Sequence, residues 1–425
     1  MQRLFFTALI AVSPALSQAQ DLYLNWDWAV SASQKQFTSS AFIEPNTEQR
    51  FQLDALLDVE FAYQNWGGIG TLYSQDIYQS DNHFWFEESD SQLIVRELAW
   101  QDSVELGTQS YDLSLGKIRL DYGVSYAYRP LDMFKPYRQN PIGLSVEEGA
   151  MVAALSSFDA TGEWSLLYTN SHWTDIEVEQ FDQANQQQGV GVRRYQLQGD
   201  DEYQFIVYYD DVRRGAIGAS WVTVPSLAWE FHTEALWQKH SVQFTQPIQL
   251  FAPVELAQAG EAWQALAGFT YTAISGHSFI GEYWYDSRAW SDSEWQHAIE
   301  QGQGLKNSAQ TYAIATSYAQ GLSHYNLTQH NVMLHWRWDT QTWLQWQTDG
   351  AWSWLGDVTP KLDLLISPQD GGVIATQWLT YQWIDNGDLS IDLEFTARFL
   401  SGKSNSAYAQ VNQSHTLTFT IKGKF

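Results

Sequence analysis

Polar and apolar residues alternate along most of this chain. Four segments show the pattern over nine or more residues: FQLDALLDVEFAY from Phe51, LAWEFHTEALWQ from Leu227, NVMLHWRWD from Asn331 and LSIDLEFTARF from Leu389. Alternation with a period of two is typical of β-strands with one buried face. Strands of this length match the roughly 9–11 residues that a tilted strand needs to cross a bilayer. An ordinary β-sandwich also alternates, but its strands usually have about 5–6 residues.

Turn sequences and longer links separate these strands. Segments rich in Gly, Pro, Asn and Asp predict compact turns, among them DATGE (159–163), GDDE (199–202), DTQT (339–342), LGDVTP (355–360) and DNGD (385–388). Longer links are expected near 34–50, 80–91, 121–147, 173–190, 239–260, 288–323 and 400–414. Short turns at one rim and longer external loops at the other are typical of transmembrane barrels.

The fold class predicted from this pattern is all-β. We expect a transmembrane antiparallel β-barrel of about 16–18 strands, formed by residues 20–425 as one domain, with the first mature strand LYLNWDWAVS paired with HTLTFTIKGKF. The alternation of upward and downward strands does not close between 288 and 370, where TYAIATSYAQ (311–320) fits either a strand or a helix. SDSEWQHAIEQGQGL predicts a short loop helix that begins after Ser291 or Ser293.

The N-terminal residues predict export. Arg3 precedes the apolar run LFFTALIAV (4–12), and the small residues Ser17 and Ala19 precede Gln20. This order is typical of a secretory signal peptide, here residues 1–19 with cleavage near Ala19. The apolar run is shorter than the roughly 20 residues of a membrane-spanning helix. We therefore expect the processed chain in the outer membrane of a Gram-negative cell, in contact with its lipids and lipopolysaccharide.

Composition narrows the possible functions. The formal net charge of -27 repels nucleic acids, so we expect no nucleic-acid partner. Aromatic residues make up 15% of the chain, which argues against disorder, and rings near strand ends, such as Trp336 and Trp338, suit an aromatic girdle. The absence of cysteine excludes disulfides and thiolate metal sites. The ten His residues are scattered, and we expect neither a metal nor a cofactor.

The segment HTLTFTIKGKF places Leu417, Phe419 and Ile421 on one face and Phe425 at its end. It resembles the C-terminal signature of Gram-negative outer-membrane barrels, in which a final Phe is recognised by the barrel-assembly machinery. The resemblance implies that Phe425 is an assembly signal and that this machinery is a partner during biogenesis. Gly423 departs from the signature, where an aromatic residue is common.

Residues 93–138 resemble a second pattern. LIVRELAW is followed by LSLGKIRLDYGVSYAYRPLDMFKP, and the segment is similar to porin-like families with an R-E strand, a G-[KR]-x5-G strand and a P-x-D-x-x-x-P-like loop. The matching positions are Arg96, Glu97, Gly116, Lys117, Gly123, Pro130, Asp132 and Pro136. The resemblance implies a channel-forming or otherwise uncharacterised barrel.

The inward faces of the strands carry the candidate pore-lining residues, because an open barrel of this size holds water. The candidates are Asp54, Asp58, Glu60, Glu230, Glu234, Asp392, Glu394 and Arg398, and Glu282, Asp286, Arg96 and Arg337 belong to the same faces. One interpretation is that these acids and bases pair across neighbouring strands and hold the wall. The other is that the excess of acid favours cations or neutral solutes over anions.

The segment 117–138 is unusually basic and aromatic. The candidate constriction residues are Arg119, Arg129, Asp132, Lys135 and Arg138, interleaved with Tyr and Phe. Either the segment folds into the barrel and narrows it, or it is an external loop whose bases pair with acids such as those of FEESDS (86–91). Pro130 and Pro136 within it, and Pro141 just after it, exclude a long regular strand.

We therefore predict a channel for the diffusion of small hydrophilic solutes, with a net acidic lumen that prefers cations or neutral solutes. The alternative is a non-conducting barrel scaffold for a partner or surface polysaccharide. An outer-membrane hydrolase is the third reading, although no G-x-S-x-G, H-E-x-x-H or P-loop motif is present. Association of several copies would use the same apolar outer face that contacts lipid.

Overall fold

Long β-strands make up most of the structure. The computed structural model describes residues 22–425 except 82–83, 108, 135–142, 177, 247–248, 250 and 345–352. In chain order its strands and α-helices are β1 Leu22–Phe37, β2 Gln49–Tyr63, β3 Trp66–Asp81, β4 Phe84–Leu106, β5 Gln109–Ile118, β6 Ala150–Asp159, β7 Gly162–Asn170, α1 Gln180–Asn185, β8 Gln188–Gln198, β9 Asp201–Asp210, β10 Ala216–Ser226, β11 Trp229–Gln238, β12 Ser241–Phe244, β13 Leu256–Ala259, β14 Ala262–Thr272, β15 His277–Asp286, α2 Asp292–Leu305, α3 Tyr312–Tyr318, β16 His330–Trp338, α4 Gln341–Leu344, β17 Val358–Ile366, β18 Val373–Asp385, β19 Ser390–Ser401, α5 Ala407–Gln410 and β20 Gln413–Lys424. Two 3₁₀ helices span Ala319–Ser323 and Ser353–Asp357.

Eighteen strands form one closed antiparallel ring. Neighbours in sequence are neighbours in the wall, except that the hairpin β12–β13 stands apart and β11 pairs directly with β14. The ring closes between β1 and β20, where Val30 lies opposite Ile421. The amide of Phe425 extends this pairing by donating to the carbonyl oxygen of Trp26 at 3.0 Å. The predicted class, strand number and pairing of the first and last strands are confirmed.

The two faces of the wall differ as the alternation predicts. On β19, Phe395 points outward and is 46% exposed, whereas Thr396 beside it points inward and is 3% exposed. On β2, Leu53 is likewise exposed and Asp54 buried. An outward apolar face suits contact with hydrocarbon, and ring closure gives each wall strand a partner on both sides for its backbone polar groups.

The links at the two rims differ in length. Tight turns at one rim include 160–161, 199–200 and 386–389, as predicted. The opposite rim carries the long links 38–48, 119–149, 171–187, 239–261, 287–329 and 402–412. No helix in the described part of the chain is long and apolar enough to cross a membrane.

Two predictions about links are wrong. The expected long link at 80–91 is a tight hairpin instead, because β3 continues to Asp81 and β4 begins at Phe84. Backbone ladder bonds do not require apolar side chains, so a hairpin can extend into polar sequence where alternation stops. The turns expected at 339–342 and 355–360 belong to one longer link, 339–357, that contains α4 and a 3₁₀ helix.

Within 311–320 the open choice between strand and helix is settled as helix, because α3 spans Tyr312–Tyr318.

Long links at the rim opposite the tight turns share an apolar core, which we call the loop cap. Its buried residues are Ala41, Phe42, Phe181, Phe244, Val254, Trp290, Trp295, Ala298, Ile299, Leu305, Ala315, Tyr318 and Ala407. The links 38–48, 171–187 and 287–329 leave the ring six strands apart from one another, a third of its circumference. Because they meet in one core, they must reach across the mouth, so the loop cap covers its middle.

Candidate functional site

We call the link 119–149 the inner loop, and its described residues 122–134 lie inside the barrel. It leaves β5 and returns to β6, yet the hydroxyl of Tyr126 lies 2.9 Å from His335 Nδ1 on β16. The hydroxyl of Tyr128 donates to Asp286 on β15 at 2.8 Å. β15 lies seven strands further round the ring than β6. The loop therefore crosses the interior, which is the first of the two placements that the sequence left open.

Three carboxylates bind six consecutive backbone amides of this loop, those of residues 122–127. Asp132 accepts from the first two at 2.9 and 2.8 Å. Glu234 accepts from the next two at 2.6 and 3.0 Å, and Glu282 from the last two at 2.6 and 2.8 Å. Hydrogen bonds to an ionised acceptor are about twice as strong as neutral ones. We call this arrangement the carboxylate seam.

Further donors surround the seam. Glu234 also accepts from the Ser125 hydroxyl at 2.6 Å and from the Leu131 amide at 3.2 Å. Glu282 lies 2.9 Å from His232 Nε2. Glu234 is 1% exposed and Glu282 is 3% exposed. Both acids therefore project inward from the wall, but they accept hydrogen bonds from the loop and are shielded from water in the lumen.

The inner loop also holds itself together. Arg129 pairs with Asp132 at 3.2 Å and with Asp121, and it donates to the carbonyl of Gly123. A Cβ at position 123 would lie 2.6 Å from the Arg129 side chain, so this close approach requires glycine. Burial raises the pKa of Asp132 to about 6, although Arg129 and the two amides act in the opposite direction.

Apolar packing secures the second half of the described loop. Leu131, Met133 and Phe134 pack against inward side chains of the wall. The wall residues are Leu167, Ile206, Tyr208, Ala216 and Leu236. These apolar side chains interrupt otherwise polar inward faces, and the sequence reasoning missed them. Such interruptions were the available signal that something inside the barrel would cover those strands.

Two tyrosines extend the contact along the wall. Tyr126 reaches Asp363 on β17 at 3.2 Å, and its ring centroid lies 4.5 Å from that of His335. Tyr128 lies within 3.2 Å of Arg288. Burial, reinforced by nearby Asp286, raises the pKa of the Tyr128 phenol well above its usual value, while Arg288 opposes the shift. The contacts of residues 122–134 thus fall on β6–β11 and β14–β17, whereas Glu147 and Gly149 near the end of the loop bond to Arg96 on β4.

A polar cavity of about 230 Å³ lies on the other side of the lumen, at strands β1–β4 and the first residue of the inner loop. It is lined by Asn25, Asp27, Asp58, Glu60, Ile69, Arg96, Glu97 and Arg119. Four of these residues are acids and two are bases. The volume is sufficient for several water molecules. The cavity is therefore an acid-rich space, large enough for water, beside the region that the inner loop occupies.

The predicted pore-lining residues on β2 and β11 differ in environment. Asp54 is buried and accepts from Tyr73 at 2.9 Å, whereas Asp58 forms an ion pair with Arg96 at 2.6 Å at the cavity. Glu60 lines the cavity. Glu230 lies 3.5 Å from His232 Nδ1, and Glu234 belongs to the carboxylate seam.

The remaining candidates lie mostly on β19 and the inner loop. Asp392 lies opposite Lys422 in the β19–β20 register. The carboxylate of Glu394 lies 3.0 Å from the Lys422 ammonium, and Arg398 donates to Thr376 at 3.0 Å. Arg119 lines the cavity. Arg129 and Asp132 belong to the inner loop, while Lys135 and Arg138 lie outside the described residues. No group of three His, Asp or Glu residues with metal-binding geometry occurs within the described ranges.

Comparisons with known proteins agree with this architecture. No family model and no curated protein matches the sequence. Among solved structures, Acinetobacter baumannii OccAB1 has a TM-score of 0.52 at 9% identity, covering 96% of this chain and 97% of that one. Pseudomonas aeruginosa OccK2 (OpdF) has 0.51 at 8%, covering 95% and 97%. A BenF-like porin from Pseudomonas fluorescens Pf-5 has 0.50 at 9%, covering 96% and 99%. At identities this low, the structural similarity demonstrates a shared fold and nothing finer. The fold of this chain is that of the outer-membrane porins.

Proposed function

We propose that this protein is a porin-like channel of the Gram-negative outer membrane, through which small hydrophilic solutes diffuse. The observation that carries the proposal is a closed 18-strand barrel with an inner loop fixed to one side and a polar cavity on the other. The similarity to solved porins supports the same reading. Signal-peptide cleavage near Ala19, which lies outside the described residues, would precede insertion, and Phe425 would be the assembly signal for the barrel-assembly machinery.

We further propose that the passage prefers cations and neutral solutes over anions. The cavity beside the inner loop carries Asp27, Asp58, Glu60 and Glu97 against Arg96 and Arg119. An excess of fixed negative charge raises the local concentration of cations and lowers that of anions. The loop cap covers the middle of the mouth, so we expect solutes to enter beside it rather than along the barrel axis.

The test is conduction by the purified, processed protein in a planar bilayer. We expect stable ohmic openings and, across a KCl gradient, a reversal potential of the sign given by a cation-preferring pore. A reversal potential of the opposite sign would contradict the assigned lumen charge. Absence of openings from protein that migrates as a heat-resistant barrel would contradict the channel itself.

A non-conducting scaffold is the second candidate, and one observation favours it. The loop cap is a packed core of large side chains over the mouth, as expected if the barrel presented a rigid external surface to a partner or polysaccharide. Silent bilayers would support this reading. A hydrolase is less well supported, because the solved structures of the same fold that carry the comparison are porins.

A further inference from the structure

The carboxylate seam bears on how wide the passage beside the inner loop can be. Its two wall acids, Glu234 and Glu282, are almost fully buried, so neither can meet a passing solute directly. Their partners are backbone amides, which every residue except proline offers. The position of this backbone therefore depends on where the wall places these acids, in addition to the side-chain contacts of Ser125 and Tyr126.

The packing of the wall around the carboxylate seam restricts the positions of its acids. Glu234 projects from β11 and Glu282 from β15, with β14 between them. His232 bridges the gap by contacting Glu282 across Gly268, which lies opposite both residues in the strand register. A Cβ at position 268 would lie 2.4 Å from His232 Nε2 and 2.7 Å from Glu282 Cγ. Glycine at this position therefore allows His232 to hold the Glu282 carboxylate against the loop.

Neutral amides cannot replace these acids without loss. Glu282 uses one oxygen for each of its two amides, whereas Glu234 uses one oxygen for the amides of residues 124 and 125 and the other for the amide of Leu131. A glutamine presents one oxygen and an NH₂ group, which would point a donor at one of these donors. Leaving buried donors without an acceptor is unfavourable. Glu→Gln variants should therefore keep the side-chain volume but weaken the hold on the amides of residues 124–127 and 131.

We propose that Glu234 and Glu282 are positioning residues that fix residues 124–127 of the inner loop against β11 and β15 and thereby set the cross-section and steadiness of the passage. The proposal rests on the proposed channel function for its conductance consequence. It assigns the two acids a role different from that of pore-lining charges. A pore-lining acid acts on the solute through its field, whereas a seam acid acts by holding the loop still.

The experiment compares Glu234→Gln, Glu282→Gln and their double variant with the natural protein. We expect the single-channel current to show several-fold higher open-channel noise and additional conductance levels, largest in the double variant. We also expect faster hydrogen exchange of the peptide covering 122–127. The reversal potential should change little, because Glu234 and Glu282 lie across the lumen from the cavity whose acids carry the proposed cation preference.

Asp370→Asn is the matched control. Asp370 is also a buried carboxylate that accepts two backbone amides, from Gly372 at 2.9 Å and Ala407 at 2.7 Å, but in the external links. This variant should leave the noise and the exchange of 122–127 unchanged. Ser125→Ala removes one donor to Glu234 without changing charge and should give a smaller increase in both readouts, which keeps the test available if an acid variant fails to form a closed barrel.

The outcomes separate the two proposals. Quiet currents, unchanged exchange and a lower cation preference in the Glu→Gln variants would overturn the positioning role and make the acids pore-lining charges. If the natural protein is silent, the channel function fails, yet hydrogen exchange still tests the seam. Unchanged exchange of 122–127 in the double variant would overturn the seam by itself.

Discussion

Single inward acids illustrate what alternation can and cannot predict. The period of two correctly places Asp54, Glu60 and Glu234 on inward faces, because the direction of a strand side chain is set locally. Their environments differ, because Glu60 lines the cavity while Glu234 is covered by a loop more than 100 residues away in sequence. Burial of an inward residue is thus decided by tertiary contacts that the local pattern does not contain.

His324 gives a prediction at the same scale. It is a buried residue of the link 287–329, and it faces Asp286, Arg288, the backbone of Asn326 and the rings of Phe181 and Tyr325. Burial lowers the pKa of His324 to about 4, with Arg288 acting in the same direction and Asp286 opposing it. The unfolded link would titrate near 6.5. Its contribution to the stability of the loop cap is therefore full above pH 6.5 and is lost as the pH falls toward 4, by up to about 3 kcal/mol.

The measurement is hydrogen exchange of the links in the loop cap at pH 7 and pH 4.5, corrected for intrinsic rates. We expect protection around His324 to fall at the lower pH. His324→Asn keeps an acceptor for the Asn326 amide but cannot be protonated, so its protection should depend much less on pH. An equal pH dependence in both proteins would assign the effect to other groups.

At the scale of elements, long strands were predictable and links were less so. The strands repeat one simple pattern, and their length is constrained by the bilayer. The hairpin β3–β4 and the link 339–357 departed from expectation because their sequences lack that constraint. The inner loop was recognisable by its bases, rings and prolines, but its destination depended on acids of β11 and β15 and on apolar side chains such as Leu236, which no local pattern connects with it.

The N-terminus of α2 allows a direct test of how much a capping box stabilises a helix in this protein. The sequence left Ser291 and Ser293 as alternative N-caps, and the structure selects Ser291, whose hydroxyl accepts from the Glu294 amide at 3.4 Å. The Glu294 side chain accepts in return from the Ser291 amide at 2.7 Å, which completes a capping box. We expect Ser291→Ala to destabilise the helix by about 1 kcal/mol. Hydrogen exchange of the first turn of α2 measures this loss.

Ser293→Ala is the matched control for that variant. The same atoms are removed two residues away, but the backbone cap remains, so the exchange of α2 should change much less. Similar effects of the two substitutions would show that the capping box does not stabilise α2.

The whole molecule combines a net charge of -27 with a cavity of four acids and two bases. Selectivity from such fixed charges acts through a field that salt screens. The Debye length shrinks from about 10 Å at 0.1 M to about 3 Å at 1 M. We therefore expect the cation preference, measured as reversal potential at a constant concentration ratio, to decrease as total KCl rises. A preference that does not vary with salt would indicate selection by close contact instead.

The pairing of β1 with β20 has a consequence for how this molecule is made. Val30 and Ile421 lie opposite each other but are almost 400 residues apart in sequence, so the pairing that closes the barrel joins its first and last strands. Bringing such distant partners together carries a loop-closure cost that local hairpins do not meet. Until β1 and β20 pair, both remain unpaired edge strands that can bind other molecules. Assembly should accordingly be sensitive to anything that delays the final twelve-residue strand, far more than to an equal delay within the wall.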